Sequence, residues 1–319
     1  MDQIVAQKLI LGTMTIGMQV NEEAAGQMVE AAFSEGLRRL DTAYVYGDGE
    51  TERILGRVLS RYPREAYRVD IKVNPRPAGN LSRETVFAQV KESLARLKIE
   101  KADVLYLHFP SSVTPIGETA QACTELHEQG LFDTLGVSNF PADLLERLLE
   151  LCESRGYVRP RVYQGMYNAL SRRIEELFPL LEAEDIRFAA FNPLAGGILT
   201  GRYQGMEAPV GDGRFAHMPG YKDRYWKESY FRAMEGILPV CRELKTAPAE
   251  AALRWLIFHS RISRRPDDGV ILGASRLEQL ESNIRSVQRG PLPERLVSAF
   301  GEAAAVCAQD APQYWRYLS

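Results

Sequence analysis

The run Leu40-Asp41-Thr42-Ala43-Tyr44-Val45-Tyr46-Gly47 begins as a buried strand and closes on a carboxylate and two phenols before a glycine-rich turn. Ionisable groups in such a place are costly unless they are paired or used. Two more follow at the ends of later strand-like runs, Lys72 in RVDIKVNP and His108 in ADVLYLH. A buried ammonium beside Asp41 has its charge balanced, and a phenol hydrogen-bonded to it is favoured as the tyrosinate, which draws the tyrosine pKa down from about 10. A two-unit shift corresponds to roughly 2.7 kcal/mol and makes tyrosine a usable acid near neutral pH. The chemistry expected is therefore proton transfer by Tyr44 or Tyr46, with Lys72, Asp41 and His108 beside it. Taken singly, each residue has a structural reading: a surface tyrosine pair at a turn, a paired strand lysine, a core histidine. Their convergence at neighbouring strand ends favours chemistry.

Positioning these groups requires parallel strands. Strand-like runs fall at 8–12, 37–41, 68–73, 102–108, 133–138, 161–167, 187–191 and 269–273, with helical patterns between most of them. The stretch NEEAAGQMVEAAFSEG places Ala25, Met28, Val29, Ala32 and Phe33 on one stripe, with Asn21 capping its start and Gly36 its end. SRETVFAQVKESLARL repeats the device with Val86, Val90, Leu94 and Leu97, and PADLLERLLELCESRG with Leu144, Leu145, Leu148, Leu149 and Cys152 before Gly156. Eight strands alternating with helices predict a (β/α)₈ barrel, in which chemistry sits at the C-terminal strand ends. A doubly wound sheet would need a glycine-rich loop after an early strand, and none is there. Residues 192–268 form a long Gly-, Tyr- and Arg-rich insertion after the seventh strand, expected to be a functional loop.

With 319 residues and 45% hydrophobic side chains the chain can bury a sizeable core, and residues 1–319 are read as one barrel domain. The formal charge of −3, from 39 basic and 42 acidic groups, provides no broad field for nucleic acid or anionic lipid. A small-molecule partner is expected, with neither nucleic acid nor membrane. The stretch MDQIVAQKLILG lacks the apolar run of a signal peptide, and Cys123, Cys152, Cys241 and Cys307 show no CxxC spacing or metal-ligand pattern. A reduced, cytoplasmic protein without a bound metal is the expectation.

The motifs DTAYVYG, IKVNP, LYLH, GVSNF, YQGMYN, FNPLAGG and LGASRLEQL occur in that order, and through them the chain resembles the aldo-keto reductases. YQGMYN, FNPLAGG with ILTG, YWKE and the terminal PQYWR resemble in particular the branch that reduces aflatoxin aldehydes and succinic semialdehyde. The resemblance implies NADP-dependent reduction of a carbonyl in a (β/α)₈ barrel. Its Asp-x4-Tyr pattern selects Tyr46 as the acid, with Lys72 polarising it, Asp41 holding Lys72 and His108 orienting the carbonyl. It implies that Ser138, Asn139 and Gln164 meet the nicotinamide carboxamide, that Phe191 stacks on its ring, and that Gly12, Thr13 and Met14 lie nearby. Leu194, Gly196 and Arg202 would fold over the pyrophosphate, and Gln279 and Asn283 would meet the adenosine. Ser275 reads as a helix cap answered by Glu278, and with Arg276 it makes an anion site suited to a 2′-phosphate, hence NADPH. Family relatives often carry Glu where Ser282 stands. Arg316, in the aromatic tail Tyr314-Trp315-Arg316-Tyr317, matches an arginine that meets a substrate carboxylate, with Arg224 able to share the role. The tail is expected over the barrel mouth, and a homodimer is a family expectation.

Two rival functions remain at this stage. One is a nicotinamide-binding regulatory subunit like the potassium-channel β subunits, which share the fold and the LGAS-x3-QL-x2-N run. The other is a Schiff-base aldolase using Lys72 as its nucleophile.

Overall fold

The computed structural model describes residues 3–211, 213–218 and 220–318; Met1, Asp2, Asp212, Pro219 and Ser319, from the N-terminal stretch, the insertion and the tail, lie outside it. Strands β1 (Leu9–Gly12), β2 (Arg39–Asp41), β3 (Arg68–Val73), β4 (Ala102–Leu107), β5 (Phe132–Ser138), β6 (Pro160–Met166), β7 (Arg187–Phe191) and β8 (Gly269–Gly273) pair in parallel and in sequence order, and β8 returns to β1 to close the barrel. Closure removes every sheet edge. Alternation sends Leu11, Leu40, Val69, Ile71, Val73, Leu105 and Leu107 outward into the main apolar cluster shared with the helices. Helix Glu22–Ser34 answers with the five residues of its stripe, all buried, and Asn21 accepts from the Ala24 N–H as its cap. Helix Ala142–Arg155 ends at Gly156, whose φ of 68° is the left-handed conformation a helix stop needs.

Inside the ring the side chains divide by polarity. Ile10, Ala189 and Ile271, from β1, β7 and β8, form an apolar cluster with Phe191 against it. On the opposite side β2 and β3 carry Arg39, Asp41, Asp70 and Lys72, of which Asp41, Asp70 and Lys72 are buried, and Arg39 pairs with Asp70 at 3.3 Å. Two strand glycines leave space for large neighbours: a Cβ on Gly12 would fall 2.7 Å from Ile271, and one on Gly136 would fall 2.5 Å from the Tyr106 ring. The barrel is a packed interior whose charged half lies under β2 to β4.

The insertion is largely structured. After β7 come helices Arg214–His217, Gly220–Tyr225, Glu228–Glu243 and Pro248–Phe258. Tyr203, Phe215, Trp226 and Phe231 meet edge to face in a chain, so its aromatic residues form a small core of their own. The C-terminal tail also has fixed partners: the Arg316 N–H donates to the Asn139 carbonyl, and Leu318 exchanges backbone hydrogen bonds with Pro110 and Ser112. These bonds lay it across the loops that follow β4 and β5, at the barrel mouth. The four cysteines are free and buried. No helix among the described residues is long and apolar enough to cross a membrane.

Candidate active site

Lys72 is the centre of the charged half. Its Nζ lies 2.8 Å from both oxygens of Asp41, donates to the Thr42 carbonyl at 2.7 Å, and reaches the Tyr46 hydroxyl at 3.4 Å. Three different acceptors around one buried ammonium leave it fully satisfied. Gln164 reaches across the barrel from β6 and donates its Nε2 to Asp41 at 2.6 Å. Thr13 donates both its hydroxyl and its N–H to the Asp41 carbonyl, which ties the end of β1 to the same residue.

The two tyrosines of the opening run separate completely. Tyr44 turns outward, donates to Glu92 at 2.8 Å and lies under the Arg96 guanidinium. Tyr46 turns inward to Lys72, because the chain between 46 and 49 bends through the positive-φ residues Gly47, Asp48 and Gly49. The geometry therefore pairs Tyr46 and not Tyr44 with the lysine.

The electrostatics correct one expectation. Burial raises the Tyr46 pKa, and although the Lys72 charge pulls it down, the net shift is upward. The expected tyrosinate is thus not favoured; a hydroxyl held at 3.4 Å does not outweigh the loss of solvent. For Lys72 burial acts downward, but Asp41 and Tyr46 more than offset it and the ammonium's pKa is raised. An amine nucleophile needs the reverse, a lowered pKa and a free lone pair, so the aldolase reading loses its basis. His108 is pushed well below its usual range by burial and by the positive charges of Lys72 and Arg76, which keeps the ring neutral. It stands edge-on to Tyr46, with ring centroids 6.0 Å apart.

The residues expected at a nicotinamide gather on the far side of the mouth. Ser138 ends β5 and accepts from Asn139 Nδ2, which also donates to the His108 carbonyl; Asn139 takes a φ of 60° to do so. With one Nε2 hydrogen given to Asp41, Gln164 keeps its Oε1 and a second N–H for a carboxamide. Phe191, half-buried at the end of β7, lines a cavity of about 190 Å³ with Phe109, Asn139, Met166, Arg224, Gln313, Trp315 and Arg316. Gly12 ends β1, and Met14 lines a smaller cleft shared with Arg214.

The more distant assignments divide. Ser275 does not cap the helix after β8 through Glu278: helix Leu277–Val287 starts after Arg276 without a side-chain cap, and Ser275 donates its N–H and hydroxyl to Gln279 Oε1, both at 3.1 Å. Gln279 is one position further on and reaches back more easily than the exposed Glu278. Arg276 is exposed at the helix start, and Asn283 is half-buried on the same helix. Leu194 is half-buried, and its carbonyl accepts from Gly197. Gly196 has a φ of 67° and faces Phe215, Tyr221 and Tyr225, so its missing side chain serves the packing of the insertion. Arg202 is exposed and turned to Tyr203 within its own loop.

Several site residues escaped the sequence reading. Arg214 approaches Gly273, shares Asn192 Oδ1 with the Tyr221 hydroxyl, and so bridges the insertion to β8. Asn74 touches His108, and Gln89 holds Asn74. Gln89 and Ser93 are polar side chains on the buried stripe of helix Arg83–Leu97, and that break in an apolar pattern was the signal that could have found them. Among the described residues, no group of three or more His, Cys, Asp or Glu side chains could hold a metal ion.

Residues 8–305 match the Aldo/keto reductase family. The chain is 42% identical over 322 residues to aflatoxin B1 aldehyde reductase member 2 of Rattus norvegicus, an alignment covering 96% of this chain and 87% of that protein. It is 40% identical to aldo-keto reductase family 7 member A3 of Homo sapiens, with 96% of each covered. A solved structure, the glycerol dehydrogenase AKR11B4 from Gluconobacter oxydans, superposes with a TM-score of 0.76 over 98% of this chain and 95% of that one; at 24% identity this is a likeness of fold.

The Lys72–Asp41 pair yields a stability test. Asp41→Asn strips a buried ammonium of its counter-charge, and breaking one partner of such a pair costs about 3–5 kcal/mol. In the wild type Lys72 is raised on folding, so its contribution is complete below the unfolded pKa and is lost only as pH climbs through the folded one. In the variant the folded pKa falls below the unfolded value, and the deficit shrinks as pH rises toward about 10. Urea midpoints at about pH 6 and about pH 9 should show the two proteins converging at the higher pH; a constant gap would mean that Lys72 carries no buried charge.

Proposed function

The chain belongs to the aldo/keto reductase family and is an oxidoreductase, and we propose that it reduces aldehydes or ketones to alcohols with NADPH, using Tyr46 as the proton donor. The observation that carries this reading is the buried Tyr46–Lys72–Asp41 chain with the His108 ring edge-on to Tyr46. Family membership implies a nicotinamide cofactor, and the mouth suits one: Ser138 keeps its hydroxyl hydrogen to donate, Gln164 keeps Oε1 to accept, and Phe191 offers a ring face to the cavity. When bound, a reduced nicotinamide supplies the hydride.

The protein's own share is proton delivery and orientation. Because burial keeps Tyr46 protonated, the phenol is in the form a general acid needs before the reaction. As its proton passes to the carbonyl oxygen, the growing phenolate charge faces Lys72, whose attraction strengthens in surroundings of low polarity. Asp41 keeps the ammonium in place and, with Gln164 and Thr13, does not follow the proton. His108, neutral throughout, can hydrogen-bond the carbonyl oxygen without competing as an acid.

Two refinements follow. Arg276 and Ser275, with the free N–H groups at the start of helix Leu277–Val287, make a site for the extra phosphate of NADPH. Arg224 and Arg316 share one cavity with Trp315, and a forked cation there suits an aldehyde that carries a second, carboxylate group.

Tyr46→Phe is expected to retain cofactor binding, read by nicotinamide fluorescence, and to lose about 10² or more in turnover, while Tyr44→Phe loses little; equal losses would detach the acid from Tyr46. Arg276→Ala should weaken NADPH about tenfold or more and NADH little, with the difference shrinking at high salt. Equal weakening of both would move the 2′-phosphate elsewhere. Arg316→Ala should raise KM for succinic semialdehyde and spare 4-nitrobenzaldehyde, which lacks the second charge; if both substrates respond alike, the carboxylate preference falls.

A further inference from the structure

A neutral histidine has one N–H, and which nitrogen carries it decides what the ring can do. In this protein the neighbours of His108 answer that question. Asn74 follows β3, and its side-chain amide has two contacts: the Arg76 N–H donates to one end at 2.9 Å, and the other end lies 3.1 Å from His108 Nδ1. A backbone N–H only donates, so the atom facing Arg76 must be the amide oxygen. The atom facing His108 is then the NH₂ group, which donates to Nδ1. A nitrogen accepting that bond carries no hydrogen, and the single proton of the neutral ring resides on Nε2.

The amide cannot readily rotate away from this arrangement. Pro75 restricts the backbone of Asn74 to extended conformations. Gln89, buried on helix Arg83–Leu97, clamps that backbone from both sides, accepting from the Asn74 N–H at 2.7 Å and donating to its carbonyl at 2.8 Å. The backbone of His108 is held in turn by donation to the Val73 carbonyl and by Asn139. From these contacts we infer that Asn74, braced by Gln89, is a positioning residue that fixes His108 as the Nε2–H tautomer, so that a single neutral donor is left for the substrate oxygen. The inference rests on the substrate-orienting role proposed above for His108, but the tautomer itself can be observed without it.

The charged and titratable groups around the ring are Lys72, Arg76 and the Tyr46 phenol, and none of them is a carboxylate that could hold a proton on Nδ1. Asn74→Asp introduces one of nearly the same shape. Its oxygen toward Arg76 still accepts, while its oxygen toward His108 now accepts from Nδ1–H. The neutral ring then loses its Nε2 proton, and only the imidazolium keeps donors at both positions. The variant's kcat/KM should therefore persist at acid pH and fall tenfold or more as pH rises through the histidine's new, higher pKa, while the wild type keeps a flat profile over the same range.

The test is ¹⁵N NMR of the ring nitrogens in the full-length protein, with His108 assigned among the four histidines by His108→Gln, alongside the pH profile. Expected are an Nε2-protonated neutral ring in the wild type and an Nδ1-protonated one in Asn74→Asp. A wild-type ring protonated on Nδ1, or freely exchanging between tautomers, overturns the inference without requiring any variant to fold. A variant that switches tautomer with no change in its pH profile leaves the inference standing and removes instead the role of His108 in the reaction.

Discussion

A lysine buried inside a barrel is the constraint from which the rest of the site follows. Lys72 cannot shed its charge cheaply while Asp41 stands 2.8 Å away, and it cannot keep that charge unless every donor is met. Asp41, the Thr42 carbonyl and Tyr46 meet them, and Gln164 satisfies the carboxylate from the opposite wall. The polar half of the interior is therefore a connected set reaching over β2, β3 and β6. The apolar half under β1, β7 and β8 lets Phe191 stand at the mouth against hydrocarbon.

One helix steadies the loops after β2 and β3. Helix Arg83–Leu97 presents Gln89 to the loop after β3, where it holds Asn74. Two turns on it presents Arg96, which pairs with the buried Glu52 at 3.0 Å and donates to the Tyr44 carbonyl at 3.2 Å. The Arg96 guanidinium also lies where a Cβ on Gly49 would be, 2.5 Å from that position, so the turn beyond Tyr46 is packed against it. Tyr46 and Asn74, whose amide meets His108, follow different strands, yet their loops lean on the same rigid element. Such support fixes the geometry between the Tyr46 turn and the Asn74–His108 contact.

Two segments distant in sequence complete the mouth. The insertion is joined to β8 through Arg214 and to β7 through Asn192, while the tail is bonded to Asn139 and to the loop after β4. Arg224 comes from the first and Arg316 from the second, and they meet only at the cavity. Because the tail bonds to Asn139, the cavity wall that carries Arg316 is mechanically continuous with Asn139 and the end of β5.

Much of this was legible in the chain itself. Apolar periodicity located eight strands and the helix stripes, and the placement of Asp41, the tyrosine pair, Lys72 and His108 at strand ends pointed to proton-transfer chemistry there, with Tyr46 singled out by the family resemblance. Those signals are local, since they depend on which face a residue occupies and on where its strand stops. What the chain alone misjudged was set by density and direction in three dimensions. The pKa of Tyr46 is a balance between burial by many elements and one ammonium at 3.4 Å, and only the folded packing decides that burial prevails. Gln164 serves Asp41, Ser275 turns to Gln279, and Asn74 reaches His108 because side chains on separate elements happen to face one another. Periodicity records the face a residue lies on; the atom it meets there is settled by the tertiary structure, because hydrogen bonds depend on distances and angles between segments far apart in the sequence.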